Sequence, residues 1–249
     1  MVRYRPPRAI KDLAPGALVE KDMKYVEKQT CMTTGKGADN FYSQHTEIDS
    51  FTRIRSLELA KDSTAKGSAE AHQKSKEKFE FVIACENTDN GYENQKEFRE
   101  VLKKDKVFHF NSNKSTPTDN PRVERSHLTD EVEFYQRGGF KKTFEEQAEA
   151  IKEWEHFYNW KRPHQALGYL TPIVFHELWK IDKEKAYSIV ETYQKYLKKQ
   201  SLRPASARRI KRKEQIEKLM QFIDVKINKK VEIKKVINSL IPCQLCSMV

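Results

Sequence analysis

FEFVIACENTDNG, residues 79–91, sets the frame for the whole chain. Residues 79–87 form an apolar run of strand length, and the turn sequence TDNG follows with Asp89 directly behind the apolar stretch. A charge inside or at the end of a core strand is not the usual solvent coat, because it must be paired or bound to metal. Strand ends of α/β sheets are also where ligands collect. The plainer alternative is that Asp89 caps an ordinary turn.

Toward the N-terminus, LVEKDMKYV (18–26), FYSQHTEID (41–49) and TRIRSLELA (52–60) predict three antiparallel strands. The basic lead-in before them carries Pro6-Pro7 and Pro15-Gly16, which break regular structure. Residues 63–79 lose β-branched side chains and predict a helix with a thin apolar face. Toward the C-terminus, a helix over 94–104, a short strand over 106–110, an exposed polar loop, and helices over 120–135 and 144–160 follow. This order, βββαβαβα and a further helix, gives an α/β fold: a mixed sheet flanked by helices. RPHQALGYLTPIVFHELW (162–179) is a compact, aromatic-rich segment. Beyond it, Ala186, Ile189, Val190, Tyr193 and Leu197 share one helical face, and Ile216, Leu219, Met220 and Ile223 share another. The chain therefore divides into a basic lead-in (1–15), a core (16–179) and a mainly helical, basic C-terminal extension (180–249).

Of the 249 residues, 37% are hydrophobic and 10% aromatic, a foldable mix. The formal net charge of +11 is either a solubility coat or a match for a polyanion such as DNA, RNA or an anionic membrane surface. No apolar run reaches the length of a membrane span and the N-terminus lacks a signal-peptide stretch, so a cytoplasmic location is expected. Cys243 and Cys246 form a CxxC, but a structural zinc needs about four ligands and no second pair lies nearby.

Two further acids fall on the pattern as Asp89 does. Asp22 lies inside the first strand and Glu124 near the start of the helix in DNPRVERSHLTDEVEF. Three hard carboxylates converging on one point suit Mg²⁺ or Mn²⁺. Two such ions about 4 Å apart clamp the attacking and leaving oxygens of a phosphodiester. Taken singly, Asp22 is more often a strand-end or turn charge, and Glu124 also reads as a plain first-turn acid favoured by the helix dipole.

Residues 15–179 resemble the catalytic core of bacterial insertion-sequence DDE transposases, which share the retroviral-integrase fold. The resemblance rests on PGALVEKDMKYV, TEIDSFTR, TDNG with Glu93 just beyond, PTDNPRVERSHLTDEVEFY and WEHFYNWKRPHQALGYLTP. Asp89 and Glu124 are 35 positions apart, similar to the family spacing. The resemblance implies an RNase H-like fold, catalytic and metal-binding roles for Asp22, Asp89 and Glu124, and cleavage and strand transfer of DNA phosphodiesters with Mg²⁺ or Mn²⁺. It implies double-stranded DNA (transposon ends and target) and further copies of the chain as partners, no membrane, and a place at the nucleoid of a bacterium. Asn90 and Asn120 would shape the loops around the metals. Arg125 and His127 would approach DNA phosphate, Arg162 and His164 would serve packing or DNA contact, and Leu167, Tyr169 and Leu170 would pack. The basic run Arg208, Arg209, Lys211, Arg212 and Lys213 would track phosphates or form a solvated linker. Three features depart from the family pattern: Asn94 stands where a Phe is usual, no helix-turn-helix precedes the core, and the loop before the third acid, NSNKSTPTDNP, is poorer in arginine and proline than usual. That second departure keeps open a truncated or inactive DNA-binding remnant beside the active enzyme. A nuclease acting on RNA–DNA hybrids shares the fold class but not the RPHQALGY segment.

Overall fold

The computed structural model describes residues 6–28, 40–112, 120–200 and 219–223. A five-stranded sheet in the order β3-β2-β1-β4-β5 forms its centre. The strands are β1 (Val19–Glu27), β2 (Phe41–Asp49), β3 (Arg55–Ala60), β4 (Cys85–Thr88) and β5 (Phe108–Asn111). β1, β2 and β3 pair antiparallel, with Val19 opposite Asp49 and Ser43 opposite Ala60, while β4 runs parallel to both β1 and β5. The helices are α1 (Arg8–Lys11), α2 (Ala65–Lys78), α3 (Lys96–Lys104), α4 (Pro121–Glu133), α5 (Phe144–Trp160), α6 (Pro172–Ile181) and α7 (Lys183–Gln200). This is the mixed sheet flanked by helices, with a helical C-terminal extension, that the order of elements predicts, and the RNase H-like fold that the resemblance implies.

The helix boundaries have local causes. Thr64 accepts a hydrogen bond from Gly67 N at 3.1 Å and starts α2, and Thr143 with Glu146 forms a reciprocal capping box on α5. Pro121 and Pro172 open α4 and α6, where the missing N–H costs nothing. The thin apolar face of α2 buries small residues, Ser68, Ala69, Ala71 and Ser75, with His72 among them.

β4 departs from its predicted span of 79–87. The strand holds only Cys85–Thr88, and the apolar stretch ahead of it is irregular. Phe79 and Phe81 stack at 4.9 Å, and Phe79 and Ile83 join a cluster with Val19, Phe98, Leu102 and Val107. The chain bends because Ala84 N bonds back to Gly16 O at 2.8 Å rather than to a neighbouring strand. Gly16 sits at φ +74°, and a Cβ there would meet Val82 O at 2.2 Å, so only glycine fits this approach. Apolar content predicts burial here, but burial is reached by packing across a bend.

Strand alternation separates two faces. Ile48 packs with Val123 of α4 and Tyr158 of α5, and Leu57 packs with Ile151 and Trp154 of α5. On the other face Glu47 of β2 meets His72 of α2. At the C-terminal side Ala186 and Val190 of α7 join Phe51, Leu167 and Phe175. Leu219 and Ile223, from the second predicted apolar face, pack together with Phe222 against Ile10, Leu18 and Phe110. Among the described residues, no helix is long and apolar enough to cross a membrane.

Candidate active site

Asp22 lies in the middle of β1, opposite Thr46 of β2. Asp89 follows directly on the last residue of β4, and Glu124 lies in the first turn of α4. Burial raises the Asp22 carboxyl to about 7, and the negative charges of Asp89, Glu93 and Glu124 act in the same direction against a hydrogen bond from the Met23 backbone. Asp89 and Glu124, with Glu93 beside them, therefore lie within electrostatic reach of Asp22. A partly buried carboxylate ringed by like charges is destabilised unless a cation or a proton joins it. This all-carboxylate donor set suits a hard divalent cation such as Mg²⁺ or Mn²⁺.

The loop after β4 is held by its own side chains. Asp89 Oδ1 accepts from Gly91 N at 2.8 Å and from Asn94 Nδ2 at 2.9 Å. Asn94 also reaches Glu93 Oε1 at 3.3 Å, and its side chain is buried. Asn94 is thus a donor tying two of the four acids together, a role a Phe could not fill. Asn90 Oδ1 accepts from Gln95 Nε2 at 2.9 Å, and Asn120 takes a hydrogen bond from Asn87 of β4. Both asparagines therefore shape the loops flanking the acids.

Glu20 is a feature that sequence reading passes over. It lies two residues before Asp22 on the same face of β1, fully buried. Its Oε2 accepts from Arg122 N at 2.8 Å and Val123 N at 3.3 Å, the otherwise unsatisfied N–H groups of the first turn of α4. Its Oε1 accepts from Lys11 Nζ at 3.1 Å and Ser50 Oγ at 3.3 Å. Asn120, the N-cap residue, makes no side-chain cap of its own, so the strand supplies the cap from a distance and holds the first turn that carries Glu124. Glu20→Ala is expected to cost about 2–3 kcal/mol in urea unfolding, the scale for losing hydrogen bonds to a buried charge. Unchanged stability would show that α4 is anchored otherwise.

The expected DNA-contacting residues take different places. Arg125 is exposed on α4. His127 Nδ1 lies 3.6 Å from Asp22 Oδ2. Burial lowers its imidazole to about 4, Lys24 and Arg55 adding to the shift and Asp130 opposing it, so His127 is neutral near pH 7. Arg162 binds Glu133 through two hydrogen bonds, Nε at 2.7 Å and Nη2 at 2.6 Å. His164 is buried edge-on against Tyr158, ring centroids 4.6 Å apart, and burial with help from Arg162 lowers it to about 3. Leu167 is fully buried while Tyr169 stays exposed. Arg208, Arg209, Lys211, Arg212 and Lys213 lie outside the described residues, as do Cys243 and Cys246.

A second group able to coordinate a divalent ion is made by Glu47, His72 and Glu86, all buried. It does not include the three predicted acids. Lys21, which pairs with Glu47, and Asp22 are adjacent on β1 and so point to opposite faces of the sheet.

Residues 105–172 match the family model of an integrase core domain. No curated protein matches the sequence. Among solved structures, the chain is similar to a chain of the simian T-cell lymphotropic virus intasome in complex with PP2A regulatory subunit B56 gamma, at 16% identity and a TM-score of 0.54. That match covers 70% of this chain but only 59% of the intasome chain. The HTLV-2 integrase catalytic core domain in complex with magnesium matches at 17% identity, over 66% of this chain and 99% of that one, with a TM-score of 0.53 for its trimeric form and 0.50, over 98% of that chain, for its dimeric form. At such identities the likeness shows the fold alone, the RNase H-like mixed sheet flanked by helices.

Proposed function

We propose that this chain is the catalytic core of a DDE transposase of bacterial insertion-sequence type, cleaving and joining DNA phosphodiesters with Mg²⁺ or Mn²⁺ held by Asp22, Asp89 and Glu124. One observation carries the reading: on a fold like that of integrase cores, Asp22 is raised to about 7 by burial in its strand, and the charges of Asp89 at a strand end and Glu124 at a helix start act on it in the same direction. A divalent ion bound there supplies Lewis acidity, activating the attacking hydroxyl and balancing charge on the leaving oxygen. The protein's own part is positioning. Gly91 and Asn94 fix Asp89 through one carboxylate oxygen. Glu20 fixes the helix that brings Glu124. His127, neutral beside Asp22, is available to orient that carboxylate.

The partner in this reading is double-stranded DNA, which the charge of +11 attracts without choosing a sequence. Exposed Arg125 is the residue beside the acids proposed to meet phosphate. Self-association of the chain belongs to the same proposal, since joining two ends requires two copies, as does a place at the bacterial nucleoid. The test is a branched DNA in which a 3′-hydroxyl abuts the phosphodiester to be broken, so no end sequence is needed. Attack by that hydroxyl forms one phosphodiester and releases another 3′-hydroxyl. Resealed product should form with Mg²⁺ or Mn²⁺ and vanish with a chelator. Product made equally well in chelator would sink the proposal.

A further inference from the structure

Beneath the sheet, on the face turned away from Asp22, ionisable side chains converge in the interior. Glu47 of β2, His72 of α2 and Glu86 of β4 are each at most 1% exposed. His72 Nδ1 lies 3.0 Å from Glu86 Oε2 and 3.4 Å from Glu47 Oε2, and the three candidate ligand atoms fall within 4.8 Å of one another. Although these atoms face each other so closely, neither ring nitrogen and none of the four carboxylate oxygens makes a hydrogen bond of acceptable geometry. Buried polar groups are almost always hydrogen-bonded. They meet in ion-pair contact instead, at spacings that donors around a common centre also take.

We infer that Glu47, His72 and Glu86 form a structural divalent-metal site, suited to Zn²⁺, separate from the acids on the opposite face. Zinc bonds of about 2.0–2.2 Å to nitrogen and oxygen place tetrahedral donors roughly 3.3 Å apart. The spacings of 3.0 and 3.4 Å around His72 Nδ1 match that demand. An imidazole in the donor set favours zinc over magnesium. The surroundings also fit. A metal-bound histidine usually directs its other ring nitrogen to a carboxylate, and His72 Nε2 faces Asp105 Oδ2 at 3.9 Å. Asp105 is held in turn by Lys76 at 2.8 Å and by Gln73 Nε2 at 3.0 Å. On the other side Lys21 Nζ lies 3.5 Å from Glu47 Oε1 and orients that ligand. Three protein ligands leave a fourth position for a second carboxylate oxygen or a water. The ion would tie α2 to β2 and β4, the strands on either side of β1, and so brace the strand that carries Asp22. The competing state is a proton on His72 in place of the ion, with Lys21 completing the charge balance.

The experiment uses the full chain carrying Asp22→Asn, Asp89→Asn and Glu124→Gln, so that no ion is counted at those acids. After metal removal it is titrated with Zn²⁺ and, in parallel, with Co²⁺, whose visible d–d bands report low coordination. One equivalent should bind, the cobalt form should colour, and Tm should rise by about 5–10 °C when free Zn²⁺ is a hundredfold above its Kd. Adding His72→Gln or Glu86→Gln should weaken binding by more than the roughly 10–100-fold that changes around a ligand produce. Uptake unchanged by both substitutions, as an ion held by Cys243 and Cys246 would give, overturns the inference. A parent protein that takes up no ion overturns it whatever the variants do, including variants that fail to fold.

Discussion

Asp89→Asn is expected to lower strand transfer on the branched DNA by at least about 10³-fold, on the order of 4 kcal/mol of barrier, with the fold and DNA affinity retained. Asn keeps the side-chain size and one carbonyl oxygen, and Oδ1 is the atom that already accepts from Gly91 N and Asn94. The loop geometry can therefore survive while the negative charge is lost. Metal Lewis acidity contributes several kcal/mol to such reactions, so removing one ligand charge should remove most of the rate. Asp22→Asn and Glu124→Gln should act likewise and without adding up, because the acids work as one unit. DNA binding, measured with its salt dependence, should change little, since phosphate contacts from basic residues supply it. Activity that persists in all three variants would refute their assignment.

The second large effect is on stability. Asp130 of α4 and Arg55 of β3 are fully buried and meet at 2.5 Å. Asp130 also accepts from Trp154 Nε1 at 2.7 Å and from Gln44 Nε2 at 2.9 Å. The Arg55 guanidinium lies 3.6 Å from the Tyr158 ring centroid and donates to Ser126 at 2.7 Å. One carboxylate thus joins β2, β3, α4 and α5. Asp130→Ala strands the arginine in the interior, and its expected cost is about 3–5 kcal/mol by denaturant unfolding, a large share of the stability of an ordinary domain. Asp130→Asn, which keeps an acceptor, should cost less, and Arg55→Met combined with Asp130→Leu should recover part of the loss. Because α4 also carries Glu124, the alanine variant should lose catalysis along with stability. A loss below about 1 kcal/mol would show that the pair is not what holds α4 to the sheet.

Much of the architecture can be read from hydropathy period and turn residues. β2 and α5 occupy the spans predicted for them, and β1 and β3 differ from theirs only at the ends, because alternation and helical periodicity are local signals. The three acids can be picked out by their order, spacing and flanking motifs, whereas taken singly Glu124 is an ordinary first-turn acid. What the sequence conceals is the charged interior. Lys21, Glu47 and Glu86 lie in polar stretches of their strands (VEKDMKYVE, FYSQHTEID and CENT), and only the packing of α2 against that face shows them to be buried. Glu20 reads as an ordinary strand acid until α4 docks its N-terminus on it. Arg162 and His164 stand between packing and DNA contact in the sequence, and the contacts with Glu133 and Tyr158 depend on partners 29 and 6 positions away that no local pattern reveals. β4 misleads because an apolar run reports burial, not extension.

The central claim is that Asp22, Asp89 and Glu124 hold a divalent cation together. Anomalous diffraction at the manganese edge, from crystals of the chain grown with Mn²⁺, tests it most directly. Manganese density among those three carboxylates is the predicted result. Ordered manganese confined to other positions, such as the Glu47, His72 and Glu86 cluster, with no ion between the three acids, would contradict it.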